Sequence, residues 1–253
     1  MTGVRPVYRL MGFLALLGAW EAYVALADPI PTLAPSIIDV LRVFPANPSP
    51  ILLAAGRTLL AISAAFLLGG ALGTLFGLLL GRRAVLDLSL AAPILFFATI
   101  PIITWVPLFV LWAGVGEAPI LACGVLASFF PSFQAGRGAA TNPPRDYIEA
   151  ARNLGAPERD LVGSVILPAM LPVLLAGWRS SLQLTFLVLP VAEMLLRRGG
   201  IGAMVGRGMD LARADLILFA QLTLGLLGAS IFFVVDIAER RWLRWMHGEN
   251  PRR

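Results

Sequence analysis

Six stretches of roughly twenty mostly apolar residues constrain this chain more than any other feature. They run over residues 10–27, 59–80, 88–113, 118–135, 165–192 and 216–235. The bilayer interior offers no water to backbone N–H and C=O groups, so such stretches cross it as helices. The composition agrees, with 58% hydrophobic and 14% charged residues, where soluble domains carry about 25% charged. Disorder is excluded by the same balance. The expected fold is a single all-α integral membrane domain over residues 1–253 with six spanning helices. The first stretch holds Glu21 and reads as a retained helix, with a cleaved signal peptide as the alternative.

The charged residues narrow the chemistry. All 20 basic residues are arginine. A chain without lysine has no phosphate-binding GxxxxGK[ST] loop and no Schiff-base lysine. His247 and Cys123 are single examples of their types. They make neither a His/Cys zinc site nor an internal disulfide. No catalytic residue, metal site or bound cofactor is expected, and the chain reads as a non-enzyme. With the N-terminus inside, 13 arginines fall in inner loops and 5 in outer ones. That asymmetry predicts two cytoplasmic termini in a multi-pass protein. The basic, aromatic end from Ala238 to Arg253 reads as an anchor at anionic headgroups and not as a nucleic-acid site.

Gly69, Gly73, Gly77 and Gly81 recur at spacing four in the second stretch. Small residues let helix backbones approach, which predicts a packing face there. The same face could instead slide during gating.

The inner loop over residues 136–164 is the most informative segment. Pro143 and Pro144 end the preceding element. Asp146 suits an N-cap, with Glu149 three residues on as its capping-box partner. A helix is predicted over Tyr147–Leu154, closed by Gly155 in a left-handed conformation. Pro157 then begins a second helical piece, with Glu158 and Asp160 in its first turn. Across the chain, residues 195–215 predict a short amphipathic outer segment hinged on glycines.

The loop reads E-A-A-x3-G, nine residues, then a V-x-L-P run: Glu149, Ala150, Ala151, Gly155, Val165, Leu167 and Pro168. This pattern resembles the permease subunits of bacterial binding-protein-dependent ABC importers, with Val165 in place of the usual Ile. Residues 100–117, 191–195 and 199–205, and Pro31–Ser36 before a short outer helix, look like the nitrate/sulfonate/taurine-type subfamily. The likeness runs from about Pro31 to Arg244. It implies a type I importer permease fold in the bacterial plasma (inner) membrane. It also implies a coupling helix over Glu149–Gly155, with Ala150, Ala151 and Leu154, that seats in a separate ATP-binding subunit. That subunit would hold ATP and magnesium. Further implied partners are a periplasmic or extracellular solute-binding protein and a second permease chain, as a homodimer. The implied cargo is a small anion such as a sulfonate, taurine or nitrate. A nitrogenous heterocycle such as a thiamine precursor is the alternative, and an ATP-independent channel or assembly subunit is the reading from another class.

Charged or broken positions at membrane depth are the remaining candidates. An ionisable residue at a span's centre costs about 2.5–3.5 kcal/mol unless paired or facing a cavity. Arg179 and Glu193 are 14 positions apart on one helix, about 21 Å, and cannot pair with each other. Arg179 is expected to pair elsewhere. Glu193 is expected near the outer end, either paired or in the pathway. Gln183 and Thr185 either line the path or bond between helices. Pro101, Trp105 and Pro107 break the third stretch, which makes residues 100–112 a candidate pathway wall or a packing kink.

Overall fold

A computed structural model of the protein describes residues 4–27, 30, 32–46, 48–141, 145–155, 157 and 166–242. The described residues form ten α-helices and no strand. In chain order these are α1 (Val4–Ala27), α2 (Ile37–Ala46), α3 (Pro48–Gly81) and α4 (Ala84–Ala98). A 3-10 turn (Ile102–Trp105) leads into α5 (Val106–Ala113), α6 (Glu117–Thr141) and α7 (Arg145–Asn153). The chain continues through α8 (Leu167–Leu196), α9 (Ile201–Asp210) and α10 (Ala214–Trp242).

Four helices, α3, α6, α8 and α10, are long and apolar enough to cross a membrane. The third expected stretch, residues 88–113, is broken as its prolines predict, into α4 and the Ile102–Ala113 piece, bent by 89°. Counted as one broken span, the pair raises the number to five. The physical reason lies at Pro101. Its ring carries no N–H, and the chain there leaves the helix to start the 3-10 turn, whose first bond runs from Thr104 N–H to the Pro101 carbonyl at 2.9 Å. The first expected span is helical, but only Leu14–Ala27 stands out as an apolar piece, below spanning length.

At the centre, α3 lies along α6, and α8 packs on both. Small residues make this contact possible. A Cβ on Gly69, Gly73 or Gly77 would collide with the carbonyl oxygens of Val125, Phe129 and Phe133, one per turn of α6. Gly136 and Gly177 return the arrangement from the other helices, against Thr74 and Ala135. With lipid as apolar as leucine, such close packing and polar cross-bonds replace the hydrophobic drive of water-soluble folds. The cross-bonds are present: Ser128 Oγ donates to the Phe66 carbonyl at 3.0 Å, and Trp178 Nε1 donates to Thr74 Oγ1 at 2.7 Å. The buried core between them comprises Ile62, Ala65, Ile102, Cys123, Ala127, Leu182 and Leu189, among others.

The helices extend past the apolar stretches. α3 has 34 residues, about 51 Å, which exceeds a hydrocarbon core of about 30 Å. Around its first turns gather α2, α9 and the start of α10. Val40 and Val43 of α2 pack there with Ile51 and Phe219. The Glu21 carboxylate is hydrogen-bonded: it accepts from the Ile37 N–H at 3.1 Å, at the open start of α2. Arg179 is paired, with Glu239 of α10 at 2.9 Å. Both groups are partly exposed, so replacing Arg179 by glutamine should cost less than about 1 kcal/mol of stability. A shift in unfolding midpoint as large as that of a buried-core variant would contradict this.

Candidate functional site

Three places carry the residues singled out by sequence. The first is α7 and the turn that follows. The helix begins at Arg145, so Asp146 lies within its first turn and not at the N-cap. A carboxylate favours the first turn through the helix dipole as well as through capping, and so the sequence left this start open by a residue. Among the described residues the Glu149 side chain makes no hydrogen bond, so the expected capping box is not formed there. Gly155 has φ +84°, and its N–H bonds to the Arg152 carbonyl at 2.9 Å. Glu149 and Ala150 are exposed and Ala151 is half-buried. Leu154 is 88% exposed. Helix α7 has no extensive packing on any other described helix. Pro168 is half-buried in the first turn of α8, directly after Leu167. The second helical piece with Glu158 and Asp160, and Val165, lies outside the described residues, as do Pro143 and Pro144.

The second place is the break between α4 and α5. Pro101 is exposed. Trp105 is half-buried, its ring between those of Phe97 (6.0 Å) and Phe109 (6.2 Å). Among the described residues its indole N–H has no hydrogen-bond partner. A cavity of about 470 Å³ adjoins the break, lined by Ala98, Ile102, Phe130, Gln134, Gly177 and Ser180. Gln183 is exposed on α8, one turn beyond Ser180. Thr185 is buried and donates back to the Ser181 carbonyl at 2.8 Å. Sequence reading passed over Gln134 and Ser180. Their signal was available: a polar residue in an otherwise apolar helix beside Pro131 and Gly177.

The third place is Glu193, which is 1% exposed. Its carboxylate accepts from Thr58 Oγ1 at 2.9 Å and from the Gly202 N–H at 2.9 Å. Thr58 Oγ1 in turn accepts from the Ile201 N–H at 2.8 Å. One carboxylate and one hydroxyl thus bond the first two N–H groups of α9, at the end where a helix dipole favours negative charge. The approach is close enough that a Cβ on Gly200 would strike Thr58 and one on Gly202 would strike the Pro190 carbonyl. α8 ends one turn past Glu193 with Arg197 in the left-handed region at φ 53°. The glycine hinge that the spacing predicts is present at Gly199, φ 94°, and Arg197 just before it is held by a two-bond pair with Asp210 at 2.8 and 2.9 Å. That guanidinium holds the Asp210 carboxyl below its usual range. Glu193 therefore joins α3, α8 and α9. The missed partner was Thr58, invisible because 135 positions separate the two.

Comparison with known proteins fits this architecture. The profile described as "Binding-protein-dependent transport system inner membrane component" matches residues 73–246. The chain is 30% identical over 194 residues to the taurine transport system permease protein of Escherichia coli, covering 76% of this chain and 68% of that protein. It is 30% identical to the putative aliphatic sulfonates transport permease protein of Bacillus subtilis, covering 71% of this chain and 65% of that protein. The riboflavin transport system permease protein of Chloroflexus aurantiacus is 31% identical, over 63% of this chain and 60% of that protein. In these three the match spans about two thirds of the relative's own length or less. Among solved structures, an inward-facing MetNI methionine ABC transporter shares the fold. Its TM-score is 0.63 at 20% identity, over 76% of this chain and 96% of that one. The helices α3, α6 and α8 packed through small residues are thus those of a type I importer permease, and the chain belongs to the family of inner membrane components of binding-protein-dependent transport systems.

Proposed function

We propose that this permease carries a small organic anion inward and is driven through α7. The observation that carries the coupling half is the exposed tip Glu149–Gly155. Leu154 is 88% exposed on a helix with no extensive packing on its own chain. A large apolar side chain held out on a rigid turn suits burial in a partner's cleft. The two alanines keep the helix face low, so a partner can approach closely. The partner would be a separate ATP-binding subunit, which supplies the nucleotide and magnesium. Closure of two such subunits would swing a homodimer of this permease between inward- and outward-open states. A solute-binding protein would deliver cargo from outside, with both termini of this chain in the cytoplasm. Pro101, Trp105 and Gln183 border the proposed path through the membrane. Glu193 acts on the path indirectly, by fixing α9 at its outer mouth.

The anion half rests on the relatives named for taurine and aliphatic sulfonates. A nitrogenous heterocycle is the second reading, favoured by the relative named for riboflavin.

The test is co-purification of the tagged chain from its native membranes, with partners identified by mass spectrometry. Wild type should bring down an ATP-binding subunit. Leu154→Asp should lose it while keeping the wild-type unfolding midpoint, because Leu154 touches little of its own chain. Gly155→Trp should lose it too, since a side chain at positive φ adds both strain and bulk. An ATP-binding subunit retained at wild-type level in both variants would refute docking through α7.

A further inference from the structure

At the end of the bundle formed by residues 197–213 lies a cavity of about 1030 Å³ between α2, α3 and α9. Six arginines line it: Arg42, Arg57, Arg197, Arg198, Arg207 and Arg213. Among the described residues the acidic groups in its lining are Asp39 and Asp215, fewer than the arginines. Three of the arginines are committed. Arg42 pairs with Asp39 at 3.5 Å, Arg197 with Asp210 at 2.8 Å, and Arg213 with Asp215 at 2.5 Å. Arg57, Arg198 and Arg207 have no acidic partner among the described residues.

These three come from different elements: α3, the α8–α9 link and α9. Each is tied to the Glu193 junction. Arg57 precedes Thr58, Arg198 precedes Gly199 and Gly200, and Arg207 lies on the helix whose first N–H groups the junction binds. The fold thus holds three free cations around one concavity. Like charges so placed repel, and concave low-dielectric walls concentrate their field. An anion relieves that repulsion.

We propose that this cavity is an entry site for the oxyanion head of a small amphiphilic solute, bound by Arg57, Arg198 and Arg207. Guanidinium forks match the planar or trigonal faces of sulfonate and carboxylate oxygens, which compact ammonium groups do not. Val43, Met204 and Leu216 line the same cavity and offer a short apolar body its place. The inference rests on the small-anion reading above and adds where the anion is first held. The same chemistry would accept the phosphate of an anionic lipid, so the test separates the two.

Full-length protein in phosphatidylcholine nanodiscs is dialysed to equilibrium against radiolabelled ethanesulfonate. Wild type should bind it saturably, and more weakly as salt is raised. R57Q/R198Q/R207Q should weaken binding at least tenfold, while R179Q, far away on α8, should change it less than twofold. All three replaced groups are exposed, and an unchanged unfolding midpoint shows that the triple variant folds. Absence of saturable binding by wild type, or equal binding by the triple variant, overturns the proposal. A second arm uses nanodiscs containing phosphatidylglycerol. If that lipid stays bound and ethanesulfonate cannot displace it, the site belongs to a headgroup and the solute assignment falls. If the triple variant keeps ethanesulfonate and loses only capture of a solute-binding protein, the cavity is a protein dock and the proposal also falls. Co-purification with the ATP-binding subunit is scored on the same samples. A wild type that retains that subunit and binds no ethanesulfonate sinks this inference and leaves the importer reading intact.

Discussion

Gly73→Leu should eliminate folded protein, leaving no monodisperse peak when detergent extracts are separated by size. Position 73 faces the α6 backbone, where a single Cβ would already overlap the Phe129 carbonyl oxygen and come within 3.0 Å of the Phe133 nitrogen. Backbone cannot rotate away as a side chain can. Relief would need α3 and α6 to separate along the whole contact, which loses the packing that holds membrane helices together. Overpacking a core commonly costs about 1–3 kcal/mol where side chains can give. Here they cannot, so Gly73→Ala should already lower the unfolding midpoint clearly and leucine should exceed the protein's stability. Gly56 and Gly225 are controls on long helices with nothing within 4 Å of a new Cβ. Alanine there should be neutral or stabilising by up to about 1 kcal/mol. A Gly73→Leu protein that behaves as wild type would show that α3 and α6 do not pack as described.

Glu193→Ala should loosen the whole 197–213 end. Its removal leaves the Gly202 N–H and the Thr58 hydroxyl without an acceptor, in a place 1% exposed. An unsatisfied buried donor costs about 1–3 kcal/mol, so two predict a loss of roughly 2–6 kcal/mol. Glu193→Gln should be much milder. Its amide oxygen has two lone pairs and can accept from both the Gly202 N–H and the Thr58 hydroxyl, so neither donor is orphaned. Limited trypsin digestion reads the effect directly, since Arg198 and Arg207 bracket the start of α9. Cleavage there should accelerate about tenfold or more in Glu193→Ala, and little in Glu193→Gln. Thr58→Val should fall between, because it orphans the Ile201 N–H and removes one carboxylate bond. Cleavage at the wild-type rate in Glu193→Ala would mean that the carboxylate does not hold α9.

Much of the fold was legible because the membrane imposes it. Apolar length located the helices that became α3, α6, α8 and α10, and glycine spacing located the face of α3 used for close packing, though not its partner α6. The inner loop's local chemistry located α7 and its left-handed Gly155, to within a residue or two at the ends. The prolines of the third stretch mark a break there, but its size was not legible: a proline removes a helical bond without setting the direction of the chain beyond it, and the 89° between α4 and the Ile102–Ala113 piece is set by packing. The glycine hinge of the 195–215 segment is present at Gly199, but the left-handed conformation of Arg197 just before it, tied by Asp210 thirteen positions away, has no local signal.

Local pattern alone specified a bundle of helices for a bilayer, a small-residue face for close packing, and the loop that carries the Ala150–Ala151 tip, of which Ala150 is exposed and Ala151 half-buried. Those properties are set by neighbours within a few positions, through periodicity, small side chains and capping. Only the tertiary structure decided what Glu193 is for and that three uncommitted arginines share one cavity. Thr58 and Glu193 meet across 135 positions, and Arg57 and Arg207 line one wall from separate helices. A buried charge shows in sequence as an expense without a partner. Which group meets that expense is a fact of packing, and it becomes visible only when α3, α8 and α9 are brought together.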